Sequence, residues 1–261
     1  MVSVKVNESL VKYLAGLLDA DGSLSFKFNP INGGYRVGLE MNLTAAESVD
    51  RDGKFVKSLP NITGFGSVTT RQRENWSPVN EWRIYSARDF NMLLPRVVKH
   101  MVIKGKHWEN LYKYYSSLKG EVLSEMDVVR LKEISKNSRK FSGPIKPKNH
   151  PTWAWIAGYI DGDGSLSFKD HPSGHGKKLQ VSVISHKDDS IGLSLLYKAF
   201  GGYLYNRGHD NCSEWKHNLG VRDKSFAIKF LTKLVNHSKL KRYKIEQMLH
   251  YLHSYEPATT N

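Results

Sequence analysis

The chain has 261 residues, enough for one large domain or two of about 100–150 residues each. Its 39 Lys and Arg against 25 Asp and Glu leave a formal charge of +14, which points to a polyanionic partner, nucleic acid before an anionic membrane surface. With 39% apolar residues it reads as globular; the single cysteine, Cys212, excludes an intrachain disulfide and a CxxC zinc site, and no apolar run nears the roughly 20 residues of a membrane span. The opening "MVSVKVNESLVKYL" resembles neither a secretory signal nor a transit peptide, so a soluble intracellular protein with no membrane partner is expected.

Taken in order, residues 8–20 carry apolar positions at Leu10, Val11, Leu14, Leu17 and Leu18, a helical stripe. From Ser23 the period becomes two: Leu24, Phe26 and Phe28 point one way, Ser25 and Lys27 the other. After the loop "NPINGG" a second strand sets Val37, Leu39, Met41 and Leu43 inward and Arg36, Glu40 and Asn42 outward. A helix is expected near 47–59 and strands near 66–74 and 80–87. "RDFNMLLPRVVKH" reads as a helix kinked at Pro95, followed by helices at 106–118 and 121–135. The basic run from 137 to 150 reads as a linker.

The pattern then starts again. "YLAGLLDADGSLSFK" (13–27) returns as "WIAGYIDGDGSLSFK" (155–169), with the heptad "DGSLSFK" identical in both. Downstream, Trp82 in "NEWRIYSARDF" faces Trp215 in "SEWKHNLGVRDKSF". A repeat of this length means two half-domains related by a pseudo-dyad. The expected fold is α+β: two α-β-β-α-β-β-α halves, each with a four-stranded antiparallel sheet, at 1–136 and 151–261. One face of each sheet packs on helices. The other carries Ser25, Lys27, Arg36, Glu40, Asn42, Thr69, Arg71, Arg73, Arg83 and Tyr85 in the first half. In the second it carries Ser167, Lys169, Gln180, Ser182, Tyr203, Tyr205, Arg207, Lys216 and Asn218. A polar, basic sheet face of this width suits the major groove of DNA.

The twice-used Asp-x-Asp-Gly is not an EF-hand. Counted from Asp19 or Asp161, the fifth position is Ser and the sixth Leu, where calcium loops need a ligand and a glycine. It stands instead at the end of a helix. Ala15-Gly16 and Ala157-Gly158 strip one helix face, so that two such helices can touch backbone to backbone. Their C-terminal ends, negative poles of the helix dipoles, then meet, and Asp21 and Asp163 add charge of the same sign. That is a place for hard divalent cations, with the carbonyls of Ala20 and Gly162 as further oxygen ligands. Gly22 and Gly164 are expected to leave the helix in a conformation other residues resist. Asp210…Glu214-Trp215-Lys216 mimics another nuclease core, but in one half only.

"LAGLLDADG" (14–22) and "IAGYIDGDG" (156–164) resemble the motif of the LAGLIDADG homing endonucleases, in their single-chain, two-motif branch. The resemblance implies a monomer that makes a staggered double-strand break, with 3′ overhangs, in a long asymmetric duplex of about 20 bp. It implies Asp21 and Asp163 as metal ligands, Asp19 and Asp161 as structural residues, and Lys106 and Lys241 as catalytic lysines. Lys104 and Lys239 repeat as well, so that assignment can slip by two. Two or three Mg²⁺ ions are implied, with Ca²⁺ binding but not supporting cleavage. Where relatives place a polar residue after the second strand, the first half has Ala45 and Ala46 and the second His186, which implies unequal pockets. Two rival functions are an RNA maturase, with intron RNA as a partner, and a DNA-binding protein that has lost cleavage. The resemblance implies an organelle-encoded, mitochondrial or similar, location.

Overall fold

Two helices cross at the middle of the molecule, and each half is built outward from one of them. α1 (Glu8–Asp21) begins at Asn7, whose side chain accepts the Ser9 N–H at 2.8 Å. α6 (Trp153–Asp163) begins at Thr152, whose hydroxyl accepts the Trp155 N–H at 3.2 Å. Both are ordinary N-caps that satisfy first-turn donors. A Cβ placed on Gly16 would lie 2.0 Å from the Trp155 carbonyl oxygen, and one on Gly158 2.0 Å from that of Tyr13. Only glycine lets the two backbones come this close.

The computed structural model describes residues 6–50, 54–72, 74–141, 151–170, 177–208, 211–219 and 223–254. After α1 come β1 (Ser23–Ile31), β2 (Gly34–Ala46), α2 (Lys54–Thr63), β3 (Ser67–Arg71), β4 (Val79–Ile84), α3 (Ala87–Val98), α4 (Gly105–Ser117) and α5 (Glu125–Phe141). After α6 come β5 (Gly164–Asp170), β6 (Lys177–His186), α7 (Ile191–Phe200), β7 (Tyr203–Arg207), β8 (Cys212–Asn218), α8 (Lys224–Val235) and α9 (Arg242–Ser254). The fold is α+β with two antiparallel sheets, β1-β2-β4-β3 and β5-β6-β8-β7, of the same order.

The repeat seen in the sequence is a repeat in space. Ser23 pairs with Asn42 and Ser165 with Ser182, so β1 and β2 match β5 and β6 position for position. Trp82 and Trp215 are fully buried at equivalent places in β4 and β8. Each indole N–H donates to a carbonyl at the start of the neighbouring strand, Phe65 at 3.0 Å and Gly201 at 2.8 Å. The inward rows, among them Leu24, Leu39, Met41 and Leu43 in one half and Leu166, Val181 and Val183 in the other, join α1 and α6 in one apolar core.

Three expectations shift. α2 starts later than the apolar spacing suggested, because Asp50 turns its carboxylate onto the N–H groups of Phe55 and Val56 at 3.1 and 2.8 Å and caps the helix there. The first half closes with α3, α4 and α5, where its spacing expected three helices, but the second closes with two, α8 and α9, where the α-β-β-α-β-β-α pattern allows one. α5 runs on to Phe141, into the stretch read as a linker; residues 142–150 lie outside the described residues. Among the described residues no helix is long and apolar enough to cross a membrane.

Candidate active site and duplex-facing surface

The four aspartates of the two motifs divide cleanly. Asp19 and Asp161 are buried, about 2% and 1% exposed. Asp19 accepts the N–H groups of Val102, Ile103 and Lys104 at 2.6, 3.2 and 2.8 Å, and the indole N–H of Trp155 at 2.9 Å. Asp161 accepts those of Lys239, Leu240 and Lys241 at 2.7, 3.0 and 3.2 Å, the Ser238 hydroxyl at 2.7 Å, and the Tyr13 hydroxyl at 2.7 Å. Each therefore anchors the loop before the last helices of its own half and takes one bond from an aromatic of the other half. A buried carboxylate so surrounded is a structural tie, its charge met by several donors.

Asp21 and Asp163 lie two residues on, at the ends of α1 and α6, and accept no hydrogen bond among the described residues. Gly162 sits against Asp21: a Cβ there would be 3.2 Å from Oδ2 of Asp21. The carboxylates thus face a shared space. Crowding by protein and then the charge of Asp21 push Asp163 up from 3.8 to about 7. Asp21 is also raised by desolvation, though it is open to solvent on one side, with Lys241 and Lys104 pulling the other way. Two carboxylates held close, unpaired and reluctant to ionise together, are an oxygen donor set suited to a divalent cation. No group of three or more His, Cys, Asp or Glu side chains converges among the described residues, so the other ligands of such a cation must be carbonyls, water or phosphate.

The carbonyls named from sequence have a partner already. Lys104 Nζ donates to the carbonyls of Leu18, Ala20 and Gly22 at 3.3, 2.6 and 2.9 Å. Lys241 Nζ donates to those of Ile160, Gly162 and Gly164 at 2.9, 3.0 and 2.5 Å. Each ammonium caps the end of a motif helix, where the dipole favours a cation. A carbonyl has two lone pairs, so Ala20 and Gly162 retain one each. Desolvation lowers the pKa of Lys241.

The lysine of the first half is consequently Lys104 in this geometry. Lys106 stands on the outer side of α4, half exposed, 3.6 Å from Glu109. The register slips by two because Asp19 binds the backbone of 102–104 where Asp161 binds that of 239–241. The apolar residue just before each lysine, Ile103 and Leu240, is buried in both halves and carried that register in the sequence. Gly22 and Gly164 also differ from expectation. Their φ values are −74° and −81°, open to any residue. Glycine is required there for space, since a Cβ would lie 2.6 Å from the Leu18 carbonyl oxygen and 2.4 Å from that of Ile160.

The residues expected to meet DNA share one face of each sheet. Across the first sheet run the rungs Ser25–Glu40, Asn42–Arg83–Ser67 and Glu81–Thr69, with Lys27 and Arg36 further along β1 and β2 and Arg71 at the end of β3. Tyr85, one residue past β4, is exposed; Arg73 lies outside the described residues. Across the second run Ser167–Gln180–Asn218, Ser182–Lys216–Tyr203 and Glu214–Tyr205, with Lys169 and Arg207 at the ends. Three acids sit among these bases, each pairing with a neighbour: Glu40 with Lys27, Glu81 with Arg71 and Arg83, Glu214 with Lys216. Alternation predicts the outward direction of Glu81 and Glu214, yet their place among the bases was missed from sequence. Asp210 lies outside the described residues, and Glu214 belongs to this face rather than to a separate nuclease core. Ala46 and His186 do occupy matching positions at the ends of β2 and β6.

No family model matches the chain. It is similar to an intron-encoded DNA endonuclease, ai2b, of Dictyostelium discoideum, 22% identical over 217 residues, which are 83% of this chain and 68% of that protein. Among solved structures it is similar to the LAGLIDADG homing endonuclease I-GzeII in complex with its DNA target, TM-score 0.67 and 18% identity, covering 95% of this chain and 89% of the other. It is likewise similar to the meganuclease I-SmaMI bound to uncleaved DNA in the presence of calcium ions, TM-score 0.64 and 18% identity, over 95% and 94% of the two chains. With both motif helices crossed at its centre, an open sheet face on either side and the second aspartate of each motif turned into the space between, this chain has the fold of the single-chain LAGLIDADG homing endonucleases.

Proposed function

We propose that the protein is a monomeric, site-specific DNA endonuclease that makes a staggered double-strand break in a long asymmetric target, with Mg²⁺ as cofactor. The observation that carries this reading is the pair Asp21 and Asp163, unpaired carboxylates brought together at the ends of α1 and α6. A duplex has two strands to cut, and the pseudo-dyad supplies one ligand for each.

In this reading the two open sheet faces bind about one helical turn each and orient the duplex. The net charge of +14 supplies the attraction to phosphate. Asp21 and Asp163 hold the divalent cations, helped by the carbonyls of Ala20 and Gly162. Bound there, the cations supply charge neutralisation at the scissile phosphates, a more acidic attacking water and a stabilised leaving oxygen. Lys104 and Lys241 stay fixed by three carbonyls each, so their positive charge is held beside the aspartates without reorganisation and acts on the reacting phosphates through its field. The unequal residues at the ends of β2 and β6, Ala46 against His186, give the two strands unequal cutting rates. The homology to an intron-encoded enzyme supports an organelle-encoded origin.

The test is a supercoiled plasmid carrying a target selected from a randomised library, incubated with Mg²⁺ or Ca²⁺ and scored for nicked and linear product. Mg²⁺ should give linear product with 3′ overhangs and Ca²⁺ none. Asp21→Asn and Asp163→Asn should each abolish linearisation while binding persists. Linearisation at the wild-type rate by the double variant would overturn the assignment.

A further inference from the structure

The open face of each sheet carries a nearly buried carboxylate at the same position, Glu81 in β4 and Glu214 in β8, each about 8% exposed. Both precede the buried tryptophans of the repeat, and both pair across the ladder with equivalent residues, Glu81 with Thr69 and Glu214 with Tyr205. Oε2 of Glu81 lies 2.7 Å from the Arg71 guanidinium and 2.6 Å from that of Arg83. Glu214 accepts the Tyr205 hydroxyl on Oε2 and lies 3.3 Å from Lys216 Nζ through Oε1. Lys216 donates in turn to the Tyr205 hydroxyl at 2.9 Å and stands 5.4 Å from the centre of its ring. Glu214, Tyr205 and Lys216 therefore form a closed triangle, and Arg71, Glu81 and Arg83 a bridge.

A carboxylate on a surface meant for phosphates repels the ligand. If affinity alone mattered, both sites would be better without it. What the acid does is hold long side chains still. Free Arg and Lys side chains lose rotamer freedom when they bind and can swing to reach more than one base. A pinned pair meets one arrangement of acceptors well and the others badly. Both oxygens of Glu214 are engaged, one by the Tyr205 hydroxyl and one by the Lys216 ammonium, so the carboxylate ties the two side chains to each other.

We propose that Glu81 and Glu214 are specificity-determining positioning residues, which fix Arg71 with Arg83, and Tyr205 with Lys216, in the poses that read the two halves of the target. This rests on the DNA-cleaving reading above. It adds that the carboxylates weaken DNA binding in general and sharpen it for one sequence.

The experiment is a binding selection from a randomised duplex library in Ca²⁺, using the full chain as wild type, Glu81→Gln, Glu214→Gln and Glu81→Asp. Wild type should enrich one asymmetric sequence. Glu81→Gln should lose about tenfold of its discrimination at base pairs of one half only, and Glu214→Gln at those of the other half. Each Gln variant should bind unrelated duplex more tightly, with a salt slope steeper by about 0.9 for the cation set free. Glu81→Asp keeps the charge and loses the reach, so its non-specific binding should match wild type while discrimination falls. Should Glu81→Gln fail to fold, Glu81→Asp carries the same half-site readout. Discrimination lost evenly over both halves, a switch to one different preferred base, or unrelated duplex bound no more tightly by the Gln variants would each overturn the proposal. A wild-type chain that enriches no sequence would overturn the site-specific reading as well.

Discussion

Replacing Asp163 by Asn should make the metal-free protein more stable while removing its cleavage of DNA. Burial and the charge of Asp21 raise Asp163 from 3.8 to about 7. At 1.36 kcal/mol for each pH unit, that rise is worth roughly 4 kcal/mol against the folded state once both states are ionised. Asp163 is only partly buried and water screens part of this field, so about 2 kcal/mol is the expected effect. The sign follows from proton counting. Between about pH 4 and 7 the folded state keeps a proton the unfolded chain has lost, so wild-type stability falls as pH rises through that window. Asn does not titrate and escapes the loss. Thermal unfolding in EDTA at pH 8 should place the variant about 4–8 °C above wild type, and the two should converge near pH 4. Ca²⁺ should then raise wild type more than the variant, since only wild type has both carboxylates to relieve. A variant less stable than wild type at pH 8, or an equal gain at pH 4 and pH 8, would refute the destabilisation of ionised Asp163 by burial and by the charge of Asp21.

Other outcomes follow from the same geometry. Gly158→Ala drives a Cβ to 2.0 Å from the Tyr13 carbonyl oxygen and should cost more than about 3 kcal/mol, read by denaturant midpoint; a near-wild-type midpoint would mean the helices can part cheaply. Asp19→Asn sets an amide among four donors and should cost about 3 kcal/mol, where a change under about 1 kcal/mol would deny its role as a tie. Lys104→Met should slow plasmid cleavage by about 100-fold or more while Lys106→Met changes it by less than about threefold, and the reverse order would return the first-half role to Lys106. Binding to the selected target should weaken steeply between low and physiological salt, and a flat response would separate the charge of +14 from the duplex.

Much of this molecule was legible before its structure. The repeated "DGSLSFK" and the switch of period from helix to strand fixed two equivalent halves, because hydrophobic spacing records which face of an element is buried. The shared place of Ala-Gly fixed the close crossing of α1 and α6, because nothing larger than hydrogen fits at Gly16 and Gly158. Alternation likewise put Lys27, Asn42, Arg83 and Lys216 on the open faces. The tertiary structure decided what depends on contacts between distant segments. Which lysine caps a motif helix depends on the path of a loop: Asp19 takes hold of residues 102–104, and matching "KGK" with "KLK" by eye is two residues out. The bonds from Tyr13 to Asp161 and from Trp155 to Asp19 cross the pseudo-dyad and exist only once both halves have folded against each other. The union of Glu81 with Arg71 and Arg83 requires the register of β3 on β4. Periodicity is written along one element, whereas a hydrogen bond between two elements is set by how they pack, and a sequence states the first without the second.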